Sequence, residues 1–252
     1  MVKNFPVLET LSFTGLNIAK IQPNAFQNVP KLKELSLAVN NLREIPKGSF
    51  NNLPSLEIIY LSANQISYVE GNAFAEMLNL KAVHLDRNEI AAISGNWFTS
   101  SPRVNLIDLK FNLITKITKT DFKDITSKHL NPISIFLNKN LISEIDALDF
   151  DVANPVNIHL EGNRLSRFSN IFHKLQERSK LYLNENEISC VPDDVLETLR
   201  NTTKELYLFN NPITCNCIRR INEVLEYDIY DNDQFYYSST CNCLLGNSGN
   251  SC

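Results

Sequence analysis

The chain has 252 residues, 43% of them hydrophobic and 21% charged, which is enough apolar material for a continuous core and too much for a disordered chain. Its net charge of −4, with Lys and Arg scattered rather than clustered, excludes the basic surplus by which nucleic-acid binders hold phosphate. No apolar stretch approaches the ~18 residues of a membrane span, and Met1 to Leu16, interrupted by Lys3, Asn4 and Pro6, lacks the ordered regions of a signal peptide.

The first residues already carry the pattern of the rest. Val2-x-x-Phe5-Pro6-x-Leu8 has the spacing of Phe26-x-x-Val29-Pro30-x-Leu32 and of Phe50-x-x-Leu53-Pro54-x-Leu56. The chain is therefore expected to start inside a repeat, with native sequence upstream, because solenoid ends are ordinarily capped. From Leu8 onward the frame L-x-x-L-x-L-x-x-N-x-L recurs, most completely as Leu32, Leu35, Leu37, Asn40 and Leu42. Its asparagines are Asn40, Asn64, Asn88, Asn112, Asn140, Asn163, Asn186 and Asn211, spaced by 24 residues three times and then by 28, 23, 23 and 25; Leu16 holds the slot of the first frame. Period and pattern together resemble a leucine-rich repeat. That resemblance implies an α/β solenoid, a horseshoe with a concave parallel β-sheet and a convex side of irregular chain, 3-10 turns and short helices.

Within each frame the apolar residues alternate, as in Ile59 and Leu61 or Ile135 and Leu137, so each frame is a short strand with one face inward. The asparagine that follows can donate and accept at once, which suits it to satisfy turn backbone that the next coil would bury. Ten residues after each slot stands Phe26, Phe50, Phe74, Phe98, Phe122 or Phe150, with Phe172 one residue early and Leu196 in the eighth unit. These are expected to form a stacked convex column. Pro30, Pro54 and Pro102 fix the turns back into the strands. The extra residues of the 28-residue unit fall near Thr126 to Asn131, where a protruding loop is expected.

The alternate strand residues face away from the core. The middle one of each frame reads Ser12, Ser36, Tyr60, His84, Asp108, Phe136, His159, Tyr182 and Tyr207, and the next outward position adds Asp86, Lys110, Asn138, Glu161, Asn184 and Phe209 among others. Large amphipathic rings replace aliphatics from the third frame on. Such rings give contact area at low entropic cost and are favoured at interfaces, although cross-strand stacking also favours them. The candidate ligand-binding strip is Tyr60, His84, Asp86, Asp108, Lys110, Phe136, Asn138, His159, Glu161, Tyr182, Tyr207 and Phe209. Ser62, His84 and Asp86 or Asp108 form a Ser/His/Asp set by proximity, but a triad needs directed hydrogen bonds and an oxyanion pocket, which an open sheet does not supply. No catalytic residue, metal or cofactor is expected; His84 and His159 stand three frames apart, roughly 15 Å by strand spacing.

After Asn211 the frame stops, dividing the chain into a solenoid (1–211) and a terminal segment (212–252). Asn211-Pro212-Ile213-Thr214-Cys215-Asn216-Cys217 opens that segment, Ile218, Ile221, Val224 and Leu225 recur at helical spacing, and Cys241, Cys243 and Cys252 follow. This resembles the C-terminal cysteine-rich cap of extracellular animal leucine-rich-repeat proteins, which opens N-P-x-x-C-x-C. The F-x-x-L-P-x-L linkers resemble the typical 24-residue class of the same group, to which secreted arthropod immune and matrix proteins, Toll-type ectodomains and lamprey antigen receptors belong. The family's tryptophan after C-x-C is absent here, and the tail has Cys-Asn-Cys. The resemblance implies that Cys215 and Cys217 pair with two of Cys241, Cys243 and Cys252. Cys190 lies four residues after Asn186, as Cys215 lies four after Asn211; it stays open as a buried thiol, a partner of Cys215 or a partner of a tail cysteine. Disulfides imply an oxidising compartment, and Asn201-Thr202-Thr203 is a glycosylation sequon, expected on an exposed loop before the ninth frame. The resemblance implies an extracellular or ectodomain recognition module for a protein ligand. Two alternatives are a structural or accessory subunit that stabilises a partner protein or enzyme, and innate-immune recognition of a microbial glycan or lipid. Homo- or hetero-oligomerisation stays open.

Overall fold

In a computed structural model the described residues are 1–225 apart from 23, 123–124, 126–131, 147–154 and 168–176. The expected loop at 126–131, Phe150, Phe172 and the three last cysteines lie outside them, as do the side chains of Asn222 and Leu225.

The alternating frames become one nine-stranded parallel sheet, with neighbours in chain order. Its rungs, numbered one to nine, are Thr10–Ser12, Glu34–Ser36, Ile58–Tyr60, Ala82–His84, Leu106–Asp108, Ile133–Phe136, Val156–His159, Ser179–Tyr182 and Thr203–Tyr207. Because side chains alternate with period two, a register that aligns equivalent positions sends every frame leucine or isoleucine inward together. Ile59, Leu61, Ile107, Leu109, Ile135 and Leu137 are all fully buried. Two-residue parallel pairs such as Glu44–Ile45 with Tyr68–Val69, and Lys116–Ile117 with Glu144–Ile145, bind neighbouring coils again beyond the sheet.

The asparagines do what their amide chemistry suggests. Asn88 Oδ1 accepts from Ile66 N of the preceding coil at 3.0 Å, while its Nδ2 donates to Leu61 O at 3.0 Å and to Leu85 O of its own coil at 2.9 Å. Asn112, Asn163 and Asn211 repeat this, and all eight ladder asparagines are buried. Leu16, unable to accept or donate, is 59% exposed, and its backbone N–H is bonded by Asn40 Oδ1 instead.

The residue before each slot has a left-handed backbone in all nine units: Gly15, Val39, Ala63, Arg87, Phe111, Lys139, Gly162, Glu185 and Asn210, with φ between 54° and 74°. Only two are glycine, so nothing in their identity announces the conformation. The turn persists because it is over-determined: the Val39 N–H donates to Ser62 O at 2.9 Å in the next coil, and Asn40 Nδ2 donates to Leu37 O and Ala38 O, the two carbonyls just before it.

On the convex side Phe50, Phe74 and Phe98 stack at 5.8 and 5.6 Å between centroids, nearly parallel, and Phe26 and Phe122 are buried in the same core. Trp97 packs edge-on to Phe98 and donates to Val69 O at 3.2 Å. In the eighth unit the convex chain is a helix, α1 (Asp193–Thr202), with acids in its first turn and Val195, Leu196 and Leu199 buried. Asn201 is therefore not on a loop. It is exposed in the last turn of α1, and its Nδ2 donates to Glu197 O at 3.1 Å. The i, i+1, i+4 apolar face of Val195, Leu196 and Leu199 makes the helix continue that far.

The second helix, α2 (Cys215–Leu225), covers the last coil with Ile218 and Ile221 buried and Val224 half-buried. Arg220 pairs with Asp193 of α1. Cys217 is bonded to Cys190, with a Cα–Cα distance of 5.4 Å. This corrects the expectation that Cys217 bonds a later cysteine. Cys190 aligns with Cys215 along the rungs, but two residues of helix turn the chain by about 200°, so Cys217 faces the coil, 2% exposed, and Cys215 faces partly outward.

Candidate recognition face

Parallel register aligns the middle outward residues across the sheet: Tyr60 beside His84, His84 beside Asp108, Asp108 beside Phe136, then His159, Tyr182 and Tyr207. With strands about 4.8 Å apart, planar rings at this position meet face to face. Phe136, His159, Tyr182 and Tyr207 form a continuous stack with centroid distances of 4.4, 4.1 and 4.7 Å, and Tyr60 and His84 form a second stack at 4.8 Å. All six rings are half-buried. Their faces are covered by one another, so edges and polar tips are what they present.

Asp108 separates the stacks. Expected as an outward-facing contact, it is 6% exposed. Its carboxylate accepts from Lys110 Nζ at 3.0 Å and from the Lys110 backbone N–H at 3.2 Å, with His84 Nδ1 at 3.8 Å. Burial pushes the Asp108 carboxyl up, but the neighbouring His84 ring and the bonds from Lys110 outweigh it and hold the group below the usual aspartate value. Lys110 also lies 5.4 Å from the Phe136 ring centroid, so one lysine joins the two stacks. At the other end Tyr207 Oη donates to Glu205 Oε2 at 3.1 Å and Lys180 Nζ lies 2.7 Å from Glu205 Oε1. Burial first, then the bond to the Glu205 carboxylate, pushes the Tyr207 hydroxyl up to about 12, so it stays a donor.

The remaining strip residues stand one column over. Asp86, Lys110, Asn138, Glu161 and Phe209 are half-buried and Asn184 is buried. His159 Nδ1 lies 3.1 Å from Glu161 Oε1. The structure thus gathers the twelve predicted residues on one face, in two adjacent columns. The sequence did not single out Lys180 and Glu205, which belong to the same face two residues before Tyr182 and Tyr207; their one signal was opposite charge at equivalent positions of neighbouring frames. By contrast, rungs one and two carry hydroxyls: Thr14 Oγ1 is 3.0 Å from Ser12 Oγ and 2.7 Å from Ser36 Oγ.

The Ser/His/Asp set resolves differently from a triad. Ser62 Oγ donates to Asp86 Oδ1 at 2.5 Å, so the hydroxyl is committed to a carboxylate and not to His84. His84, Asp86 and Asp108 offer one ligand atom each, all within 4.8 Å of one another, but the Lys110 ammonium already sits on Asp108 Oδ2.

A nine-rung parallel sheet, an inward leucine column and a buried asparagine at each turn define a leucine-rich-repeat solenoid. The chain belongs to the leucine-rich-repeat family, whose model (Leucine rich repeat) matches residues 6–66, 30–82 and 78–131. No curated protein matches it by sequence. Among solved structures it is similar to a chain of the Toll–Spatzle complex of Drosophila, at 18% identity and a TM-score of 0.63 over 79% of this chain and 26% of that one. It is also similar to the leucine-rich repeat domain of APL1B (20% identity, TM-score 0.59, 81% and 64% covered) and to human 5T4, the Wnt-activated inhibitory factor 1 or trophoblast glycoprotein (16%, 0.61, 90% and 84%). The chain thus spans about a quarter of the Toll-complex chain it matches. Among the described residues no helix is long and apolar enough to cross a membrane.

Proposed function

We propose that this chain is a non-catalytic, extracellular recognition module that binds a protein ligand on its concave face, over rungs three to nine. The observation that carries the reading is the half-buried stack of Phe136, His159, Tyr182 and Tyr207. Four contiguous rings that stay partly open to water make an amphipathic ridge, with Lys110 at one end and the Lys180–Glu205 pair at the other. A rigid aromatic patch with a charged border is the anatomy of a protein-binding hot spot. The Toll–Spatzle structure supports the reading, since there a chain of similar fold stands in a complex of Toll with Spatzle. The Cys190–Cys217 bond supports an oxidising compartment, and Asn201, exposed at the end of α1, is the position for N-linked glycan. On this reading residues 1–211 are the solenoid and 212–252 a separate terminal segment, of which the described part is α2 against the last coil.

The test is affinity capture from the extracellular fluid of the source organism with the intact chain and with Tyr60→Ala, Phe136→Ala and Tyr182→Ala. The reading expects a ligand retained by the intact chain and lost at least tenfold by Phe136→Ala and Tyr182→Ala. Equal retention by all three variants overturns the concave site and leaves the accessory-subunit reading, in which contact is made elsewhere.

A further inference from the structure

The buried polar groups of the concave face hold one arrangement that recognition by rings does not use. Among the described residues four buried side-chain oxygens or hydroxyls have no hydrogen-bond partner, and three of them are Asn138 Oδ1, Glu161 Oε2 and Asn184 Oδ1. These residues occupy the same outward position just beyond rungs six, seven and eight. Backbone bonds fix that alignment: Lys139 N–H donates to Glu161 O at 2.7 Å, and Gly162 N–H to Asn184 O at 2.9 Å. Three neighbouring strands therefore each contribute one unpartnered acceptor to a single column, and Asn184 is 94% buried by its 6% exposure. Glu161 is held in place, since His159 Nδ1 engages its other oxygen at 3.1 Å. The lysines of the face are directed elsewhere, Lys110 to Asp108 and Lys180 to Glu205.

Acceptors withdrawn from water without donors are costly, and a carboxylate more so than an amide. A cation removes that cost for all three at once. Two amide oxygens and a carboxylate are hard ligands, with no sulfur or imidazole nitrogen among the unpartnered atoms, and this selects calcium over zinc or copper. We propose that Asn138, Glu161 and Asn184 bind a calcium ion on the concave face, beside the Phe136–His159–Tyr182 stack, with water completing its coordination. One carboxylate among three protein ligands makes a weak site, with a dissociation constant on the order of 0.1–1 mM, as in extracellular calcium modules. The ligands recur at intervals of 23 residues, one per repeat, so no local calcium motif exists to be read. The inference does not depend on the identity or existence of a protein ligand, and its failure leaves that reading standing.

The experiment uses the whole chain after EDTA dialysis. Tyrosine-sensitised terbium luminescence, excited through Tyr182 and its neighbours, is titrated with CaCl2 as competitor, and thermal unfolding is followed in CaCl2 against NaCl of equal ionic strength. Terbium emission that calcium displaces, and a calcium-specific rise in Tm, are expected. Glu161→Gln, which keeps the shape, should weaken calcium at least tenfold, and Asn138→Ala, at a half-buried position, should weaken it less. Asn184→Asp should tighten it several-fold by adding a second carboxylate. The competing arrangement rotates the amides so that their nitrogens donate to Glu161 and needs no ion. It is the answer if calcium and sodium act alike, if Glu161→Gln leaves the calcium response intact, or if Asn184→Asp lowers Tm without gaining a calcium response; any of these overturns the proposal.

Discussion

Two columns of stacked aromatic rings run along this molecule, one on each side of the same coils. Phe50, Phe74 and Phe98 on the convex side are 0–3% exposed. Phe136, His159, Tyr182 and Tyr207 on the concave side stack more closely but stay half-buried. Stacking is therefore not what separates structure from recognition, because any ring repeated once per coil will meet its neighbour. What differs is chemistry. The three convex rings are all phenylalanine, with no hydroxyl or ring nitrogen of their own to satisfy. The concave one mixes imidazole and phenol with Lys110, Glu161 and Glu205, and its Tyr207 hydroxyl is bonded to a carboxylate. One column fills a core; the other keeps contact with water that a ligand can displace.

The sharpest way to separate the columns is by stability. Phe74→Ala should cost about 3–5 kcal/mol, because a fully buried ring leaves a cavity between coils. Tyr182→Ala should cost about 1 kcal/mol, the value of its stacking contacts, while removing ligand binding. Chemical denaturation of both variants checks this, and equal losses would mean that the concave rings are core. Between the two lies the ladder: Asn88→Ala and Asn112→Ala should each cost about 1–3 kcal/mol, by stranding the amide of Ile66 or of Ile90 and by taking one of the two asparagine bonds from the carbonyls of Leu61 and Leu85, or of Leu85 and Leu109. An unchanged Tm in both would remove the asparagines from the account of stability.

Acid provides a weaker probe of the concave side alone. The Asp108 carboxyl is held below its ordinary 3.8, because the nearby His84 ring and the bonds from Lys110 outweigh its burial. A depressed carboxylate contributes stability that is fully present above the unfolded value and lost as pH falls through the folded one. Asp108→Asn should therefore flatten the fall in Tm below about pH 4, at some cost near neutrality. An acid limb identical to that of the unmodified chain would mean that Asp108 titrates alike folded and unfolded.

The repeat made much of this legible. Period and alternation placed Leu35, Ile59 and Phe74 inward, Tyr60 and Tyr182 outward and Asn88 at its turn, because each depends on spacing alone. Features that depend on which way a side chain bends were not legible. Asp108 shares its column with Tyr60 and Tyr182, yet it folds down onto Lys110 and is buried. Cys190 matches Cys215 in register but bonds Cys217, because the helical phase of α2, not the rung count, decides which cysteine faces the coil. The unpartnered oxygens of Asn138, Glu161 and Asn184 were visible only as three more polar residues of a strip.

The left-handed turn before each asparagine was also hidden, and it offers the smallest test. A β-branched residue is poorly suited to positive φ, yet Val39 adopts 57° there and is 56% exposed. Its side chain therefore contributes little packing and carries strain on the order of 1–2 kcal/mol. Glycine relieves that strain but raises the entropy lost on folding by about 0.5–1 kcal/mol. Val39→Gly should thus stabilise the chain by up to about 1 kcal/mol, a rise of about 2–4 °C in Tm for a chain of this size. The reverse change at the equivalent turn, Gly162→Val, should destabilise it. There φ is +66°, and an added Cβ meets the Lys139 side chain at 2.6 Å, where that side chain crosses Gly162 to reach Glu185. If both changes lower Tm, the bonds from Asn40 and Ser62 already dictate the Val39 turn at no conformational cost.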